Sequence, residues 1–269
     1  MEEAIKYFSV FGGLDINVNT SIPILELIET HILADYKHLR NIVNDLTSGD
    51  NSYHSILTGA AMGDRRTSSA FRRAKVSKVH GLKCVDEMYD LRLIDCESSM
   101  QHLTSDFDHL ELSEKILFEA PFLRFWFAFI SPIFKGIKNG EYDEFNKRYT
   151  NREIEFTDLV FEQLCHKVVL KTFEDDKVEQ IGRYWDDDLS VDILAKTHNG
   201  KVIAGSCKYS NSKVKKSELK QLKETCERLN IKADKYVLFS KKGYTNELKS
   251  LKSDTVKLFT VKNLKALIT

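Results

Sequence analysis

Paired cysteines, net charge and a long apolar run are all missing from this chain of 269 residues. The five cysteines, Cys84, Cys96, Cys165, Cys207 and Cys226, are scattered and form no Cys-x-x-Cys pair. That argues against a structural zinc site and for free thiols in a reducing compartment. Lys and Arg number 40 and Asp and Glu number 40, so overall charge points to no polyanionic partner and only its distribution can. The most apolar stretch, Leu117 to Phe134, is interrupted by Glu119, Pro121, Arg124 and Pro132. Its unbroken part falls far short of the roughly 20 residues a membrane span needs. The opening Met1-Glu-Glu-Ala-Ile-Lys6 lacks the basic and then apolar run of a signal peptide, so a cytoplasmic location without membrane contact is expected.

What is present is apolar content of 42%, enough for a substantial core, and about two domains at roughly 150 residues each. Charge is unevenly placed. Arg65, Arg66, Arg72, Arg73, Lys75, Lys78 and Lys83 form one basic segment, and Lys201 to Lys223 forms another, with Lys208, Lys213, Lys215, Lys216 and Lys220 set against Glu218. Acid collects at 174–176 and 186–188. Two basic surfaces with compensating acid suit a nucleic-acid protein of neutral charge, and solvated helix faces look the same.

Along the chain, residues 1–50 read as a helical segment: apolar positions over 22–47 recur at three and four, with Ser21 and Pro23 at the start. Helices are expected over 54–62, 67–75 and 77–91, with Thr67 and Ser77 as caps, then strands from Leu91 and over Leu110–Phe118. Three helices and a hairpin over 51–119 outline a winged helix whose third helix carries Lys78 and Lys83 towards a DNA groove. A small helical bundle with a hydrated basic face fits the same pattern. Residues 120–151 are rich in Phe, Trp and Tyr at helical spacing and read as a packing connector. From Arg152 the pattern runs helix, three strands, helix, strand, short helix, strand and a last helix, a three-layer α/β unit over 152–269.

Chemistry concentrates in that unit. Asp192 stands in the apolar strand Ser190-Val-Asp-Ile-Leu-Ala195, and Lys208 ends the next, Val202-Ile-Ala-Gly-Ser-Cys-Lys208. The turn Thr197-His-Asn-Gly200 makes them a hairpin, which brings carboxylate and ammonium to one sheet edge. A lone carboxylate in an apolar strand needs a reason such as a cation, or else a partner such as Lys208 itself. Gly205 and Ser206 leave room for a ligand against the backbone. Glu162 interrupts the apolar face of the preceding helix and is placed to reach the same edge, unless it is simply a surface glutamate.

The segments Ile181-Gly-Arg-Tyr-Trp185, Val191-Asp-Ile-Leu-Ala195 and Ile203-Ala-Gly-Ser-Cys-Lys-Tyr209, with a Lys-rich helix after them, resemble the uncharacterised C-terminal domain of archaeal-type AAA ATPases. That domain is a branch of the PD-(D/E)xK nuclease superfamily. Phe122 to Phe129 resembles its aromatic lead-in, and residues 52–118 its winged helix. The resemblance implies a restriction-endonuclease-like domain, a mixed sheet flanked by helices, behind a mainly α winged-helix domain. It implies Asp192, Glu162 and Lys208 as catalytic residues, and Mg²⁺ or Mn²⁺ held by Asp192, Glu162 and the Cys207 carbonyl. The basic residues named above, through Lys220, would contact DNA. No Gly-x-x-x-x-Gly-Lys-Ser/Thr occurs, so an ATPase would act in trans. The chain departs from the superfamily at Ser206, where an acid is usual. The implied function is a metal-dependent DNA endonuclease or nickase; the alternative is a catalytically inactive DNA-binding regulator that uses the domain to dimerise or to dock a partner.

Overall fold

The structure, a computed structural model, describes residues 1–104 and 112–267. Their contacts divide into two compact units: a helical unit of Glu3–Glu97 and Ser113–Glu153, and an α/β unit of Met1–Glu2, Ser98–Leu112 and Ile154–Thr269. No helix among the described residues is long and apolar enough to cross a membrane.

In the helical unit, α1 (Glu2–Phe11) is followed by α2 (Ile24–Ile28), a wide turn over Glu29–Leu33, and α3 (Tyr36–Leu46). Their buried residues Ile24, Leu27, Ile28, Ile32, Tyr36, Leu39 and Val43 keep the expected spacing of three and four. Ser21 lies outside the helix and donates to Asn19 instead. Next come α4 (Asn51–Ala61), α5 (Thr67–Ala74) and α6 (Lys78–Asp90). α4 starts earlier than its apolar pattern suggests because the Asp50 carboxylate accepts the amides of Ser52 and Tyr53. Ser77 caps α6 as expected, accepting from the His80 amide at 3.3 Å. Thr67 does not cap α5; it is the first helical residue and is buried, with Arg66 before it.

β1 (Ile94–Glu97) pairs antiparallel with β2 (Lys115–Phe118), Ile94 opposite Phe118, and Arg66 adds one bridge to Lys115. The start of the second expected strand, Leu110, lies outside the described residues. The aromatic segment is core, as its spacing predicts. α7 (Pro121–Phe125), a wide turn over Trp126–Ile130, α8 (Phe134–Lys138) and the first turns of α9 (Asp143–Thr172) bring Phe125, Phe129, Phe145 and Tyr149 together, all buried. The rings of Phe145 and Tyr149 stack at 5.9 Å.

The α/β unit holds β3 (Val178–Trp185), β4 (Ser190–Thr197), β5 (Val202–Lys208), α10 (Lys216–Arg228), β6 (Lys235–Ser240), α11 (Asn246–Lys249) and β7 (Val256–Thr260). These strands form a five-stranded mixed sheet in the order β3-β4-β5-β6-β7. The first two pairings are antiparallel and the last two parallel, so the change of direction falls at β5. The β4–β5 hairpin closes on Gly200, whose φ of +78° a side chain would oppose. Leu219, Leu222 and Cys226 of α10 pack on Leu194, Ala204 and Leu238 of one sheet face. α9 reaches the sheet through Phe161 against Tyr209, ring centroids 5.3 Å apart, and His166 Nε2 on the Asp192 carbonyl at 2.8 Å. At the outer edge, the Met100 amide donates to the Arg183 carbonyl and Ser99 bonds the Trp185 backbone, so 99–100 covers β3.

Gly205 makes room for a neighbouring strand, since a Cβ there would meet Val237 Cγ2 at 2.5 Å, and with Ser206 it also borders a cavity. The segment over Val261–Leu267 is a 3-10 helix, not the α-helix that its composition suggests.

Candidate functional site

The antiparallel register that sets Ile193 opposite Gly205 also sets Asp192 against Ser206, and alternation places Lys208 on the same face. That is the α10 face, and α10 adds Glu218 from its first turn. The result is a small polar cavity of about 110 Å³ lined by Asp192, Ser206, Lys208, Glu218 and Gln221. It lies at the carboxyl end of β5, where the sheet changes direction, the place at which open α/β sheets receive ligands.

Ser206 is the hinge of the polar contacts. Its Oγ is 2.9 Å from Glu218 Oε1 and 3.2 Å from Asp192 Oδ2. A hydroxyl has one hydrogen, so it can serve only one carboxylate at a time. The Cys207 amide donates to Asp192 Oδ2 at 2.8 Å. Burial first, and then the nearby charge of Glu162, push the Asp192 carboxyl above its ordinary pKa. Lys208 pairs with Glu218 at 3.0 Å. Burial of its ammonium is outweighed by Asp192 and Glu218, so its pKa is raised and it is a cation at neutral pH. The Cys207 carbonyl points to the β4 edge of β5, the edge from which the Cys207 amide reaches Asp192. The Lys208 carbonyl accepts from Lys241 on the β6 side, and successive peptide groups of a strand point to opposite edges.

Glu162 stands on α9, outside this cavity, and accepts a hydrogen bond from Arg183 Nε, a residue only 5% exposed. Its charge still bears on Asp192 and on Asp158, one helical turn earlier. Asp158 accepts the Tyr209 amide at 3.2 Å and is pushed up to about 6 by burial first, then by Glu162 and Asp192. Among the described residues, no group of three or more His, Cys, Asp or Glu side chains is arranged to hold a metal ion unaided.

Sequence reasoning missed Glu218 as a site residue and Asp158 altogether. Glu218 precedes Leu219 in an amphipathic helix and counted only as charge balance in a Lys-rich stretch; its signal was the single acid at the buried edge of that helix. Asp158 lies four residues before Glu162, on the same helix face. Asp158 gives a pH-dependent prediction. Above pH about 4 the unfolded chain has lost the proton that the folded chain keeps, so stability falls with rising pH until about 6 and then levels. Asp158→Asn, which retains an acceptor for Tyr209, is expected to melt roughly 5 °C higher than wild type at pH 7.5 and equally at pH 4. Scanning calorimetry at the two pH values checks this.

The basic residues are scattered in role. Arg65 turns inward to Glu97 at 4.0 Å and Arg66 to Asp64 at 3.9 Å. Arg72, Arg73, Lys75 and Lys78 are exposed, Lys75 as the left-handed cap of α5. Lys83 pairs with Glu87, Lys216 with Glu247 and Lys220 with Glu224, while Lys213 and Lys215 are exposed ahead of α10.

Residues 126–236 match the DUF234 family, described as "Archaea bacterial proteins of unknown function". The matched stretch runs from the aromatic turn to the start of β6 and contains Asp158, Glu162, Asp192, Ser206, Lys208 and Glu218. Among curated proteins, none matches the chain. Among solved structures, one chain of the "Refined half-complex from tetradecameric assembly of Thermococcus gammatolerans McrB AAA+ hexamers with bound McrC" is similar at 13% identity and a TM-score of 0.25. That likeness covers 74% of this chain and 41% of the other, so the chain spans about two fifths of that protein's length.

Proposed function

We propose that the α/β unit is a restriction-endonuclease-like domain that hydrolyses DNA phosphodiester bonds with Mg²⁺ or Mn²⁺. The observation that carries the reading is the meeting of Asp192 and Glu218 at one serine hydroxyl, with Lys208 beside them. Glu218 brings from the helix the negative charge that Ser206 lacks. Two carboxylates with one hydrogen between them suit a cation, and Mg²⁺ keeps most of its waters and takes one or two carboxylates. Asp192, Glu218 and the Cys207 carbonyl would hold it, with Glu162 adding charge from α9. The chemistry such an ion supplies is neutralisation of phosphate charge and a lowered pKa for the attacking water.

Lys208, being protonated, donates: it orients the water or offsets charge on the phosphoryl oxygens, and takes no proton itself. Gln221, in the same cavity, presents an amide that both donates and accepts. In the helical unit, α4 to α6 with the Arg66 bridge and the β1–β2 pair support a winged-helix reading of 51–119, with Arg72, Lys75 and Lys78 towards phosphates. Five free cysteines suit a reducing, cytoplasmic setting, and an ATPase acting in trans or a homodimer remains part of the proposal.

The second reading, an inactive DNA-binding or docking domain, is favoured by the closure of the site upon itself: Asp192 is satisfied by Cys207 and Ser206, and Lys208 by Glu218. Supercoiled plasmid incubated with the wild type separates the two. Nicking in Mn²⁺ and its loss in EDTA are expected; no nicking at any metal concentration leaves the inactive reading.

A further inference from the structure

Two adjoining cavities of the helical unit, about 500 and 290 Å³, play no part in the proposed chemistry. The larger lies along α4 and α5 and the smaller along α3, and they share His54 and Ser131. Neither is lined by a single carboxylate, in a chain with 40 acidic residues. Each contains one arginine, Arg73 in the larger and Arg40 in the smaller, both exposed. Neither guanidinium has an acidic partner among the described residues. The acids nearest in sequence, Asp35 and Asp45 to Arg40 and Asp64 to Arg73, line neither cavity.

The arginines are positioned, not loose. Gly63 makes the space for Arg73, since a Cβ there would lie 2.8 Å from its Nη1. Arg40 lies over the Phe134 ring at 5.7 Å, and that ring is 37% exposed. His54 is a neutral wall: burial lowers its pKa, and its Nε2 bonds Thr47 Oγ1 at 2.7 Å. Asn44 and Asn51 add amides that can both donate and accept.

We propose that this double cavity binds single-stranded nucleic acid, with Arg40 and Arg73 on its phosphates and a base against Phe134. Cationic grooves with an exposed ring are how strands are held without reading sequence, because every base has a face to stack. A concave site suits a flexible strand, whereas a duplex is read by an element that protrudes into its groove. The inference is independent of the metal site, so it stands or falls without Asp192.

The test is fluorescence anisotropy with a labelled oligo-dT of about 15 nucleotides, an rU oligomer, a duplex of equal length, and ATP as competitor. Oligo-dT or oligo-rU is expected to bind with affinity that falls with salt, and the cavity variants should lose this binding while keeping whatever affinity the wild type has for duplex. Arg40→Ala and Arg73→Ala should each weaken binding about tenfold and lower the salt slope by about 0.7. Phe134→Ala should weaken it at least about fivefold. Lys37→Ala, on the same helix as Arg40 but outside the cavities, should bind as wild type. Wild-type affinity for the single strands in the Arg40 and Arg73 variants, an equal loss in Lys37→Ala, or full displacement by equimolar ATP overturns the proposal. Unchanged circular dichroism of the variants confirms that the fold is intact.

Discussion

Asp192→Asn protein is expected to leave supercoiled plasmid intact in Mn²⁺, with nicking at least about 100-fold slower than wild type. The side-chain shape survives, because asparagine Oδ1 still accepts the Cys207 amide, and only the charge is lost. Lys208→Ala should fall as far for a different reason: it removes the cation and leaves Glu218 unpaired. Ser206→Glu, which adds an acid beside Asp192, is expected to lower the proposed nicking activity. It forces a third carboxylate into a cavity of about 110 Å³ that already holds two. Adding Glu218→Gln moves the charge from helix to strand and should return activity. Initial nicking rates on agarose gels read all four. Nicking by Asp192→Asn at the wild-type rate would sink the proposed site, and a Ser206→Glu protein more active than wild type would show that Glu218 does not supply the missing charge.

The strand and helix order of the α/β unit was legible because each element carries its own period. β3 over Val178–Trp185 and β6 over Lys235–Ser240 fall in the expected order, and the Thr197–Gly200 turn fixes the β4–β5 register. With that register known, Asp192, Ser206 and Lys208 share a face by alternation alone. What could not be read is where α10 sets its first turn against that face. Glu218 and Ser206 are 12 positions apart, and their contact depends on helix packing that no local pattern encodes. Arg183 was missed for a related reason: in Gly182-Arg-Tyr184 it looks like an exposed edge residue, yet 99–100 covers that edge and Glu162 meets it from α9. The caps divide the same way. Ser77 is followed by a helix that its hydroxyl can reach, whereas Thr67 is buried and the residue before it, Arg66, is bridged to Lys115 of β2.

Arg183→Met is expected to cost about 3–5 kcal/mol and to lower the melting temperature by roughly 10 °C. Arg183 is 5% exposed, and the Glu162 side chain that it serves is 14% exposed. Removing the guanidinium leaves a poorly solvated carboxylate whose charge already disfavours ionisation of Asp158 and Asp192. Removing both charges should be far milder, because two packed apolar side chains replace a pair whose desolvation nearly cancels its attraction. The double variant Arg183→Met with Glu162→Leu is therefore expected to recover most of the loss in a urea titration. If the double variant is as unstable as Arg183→Met, the arginine acts by filling space and not by neutralising Glu162. The pair also separates structure from chemistry: a double variant that is stable but binds Mn²⁺ more weakly would give Glu162 a part in attracting the ion, from outside the cavity that Asp192 and Glu218 line.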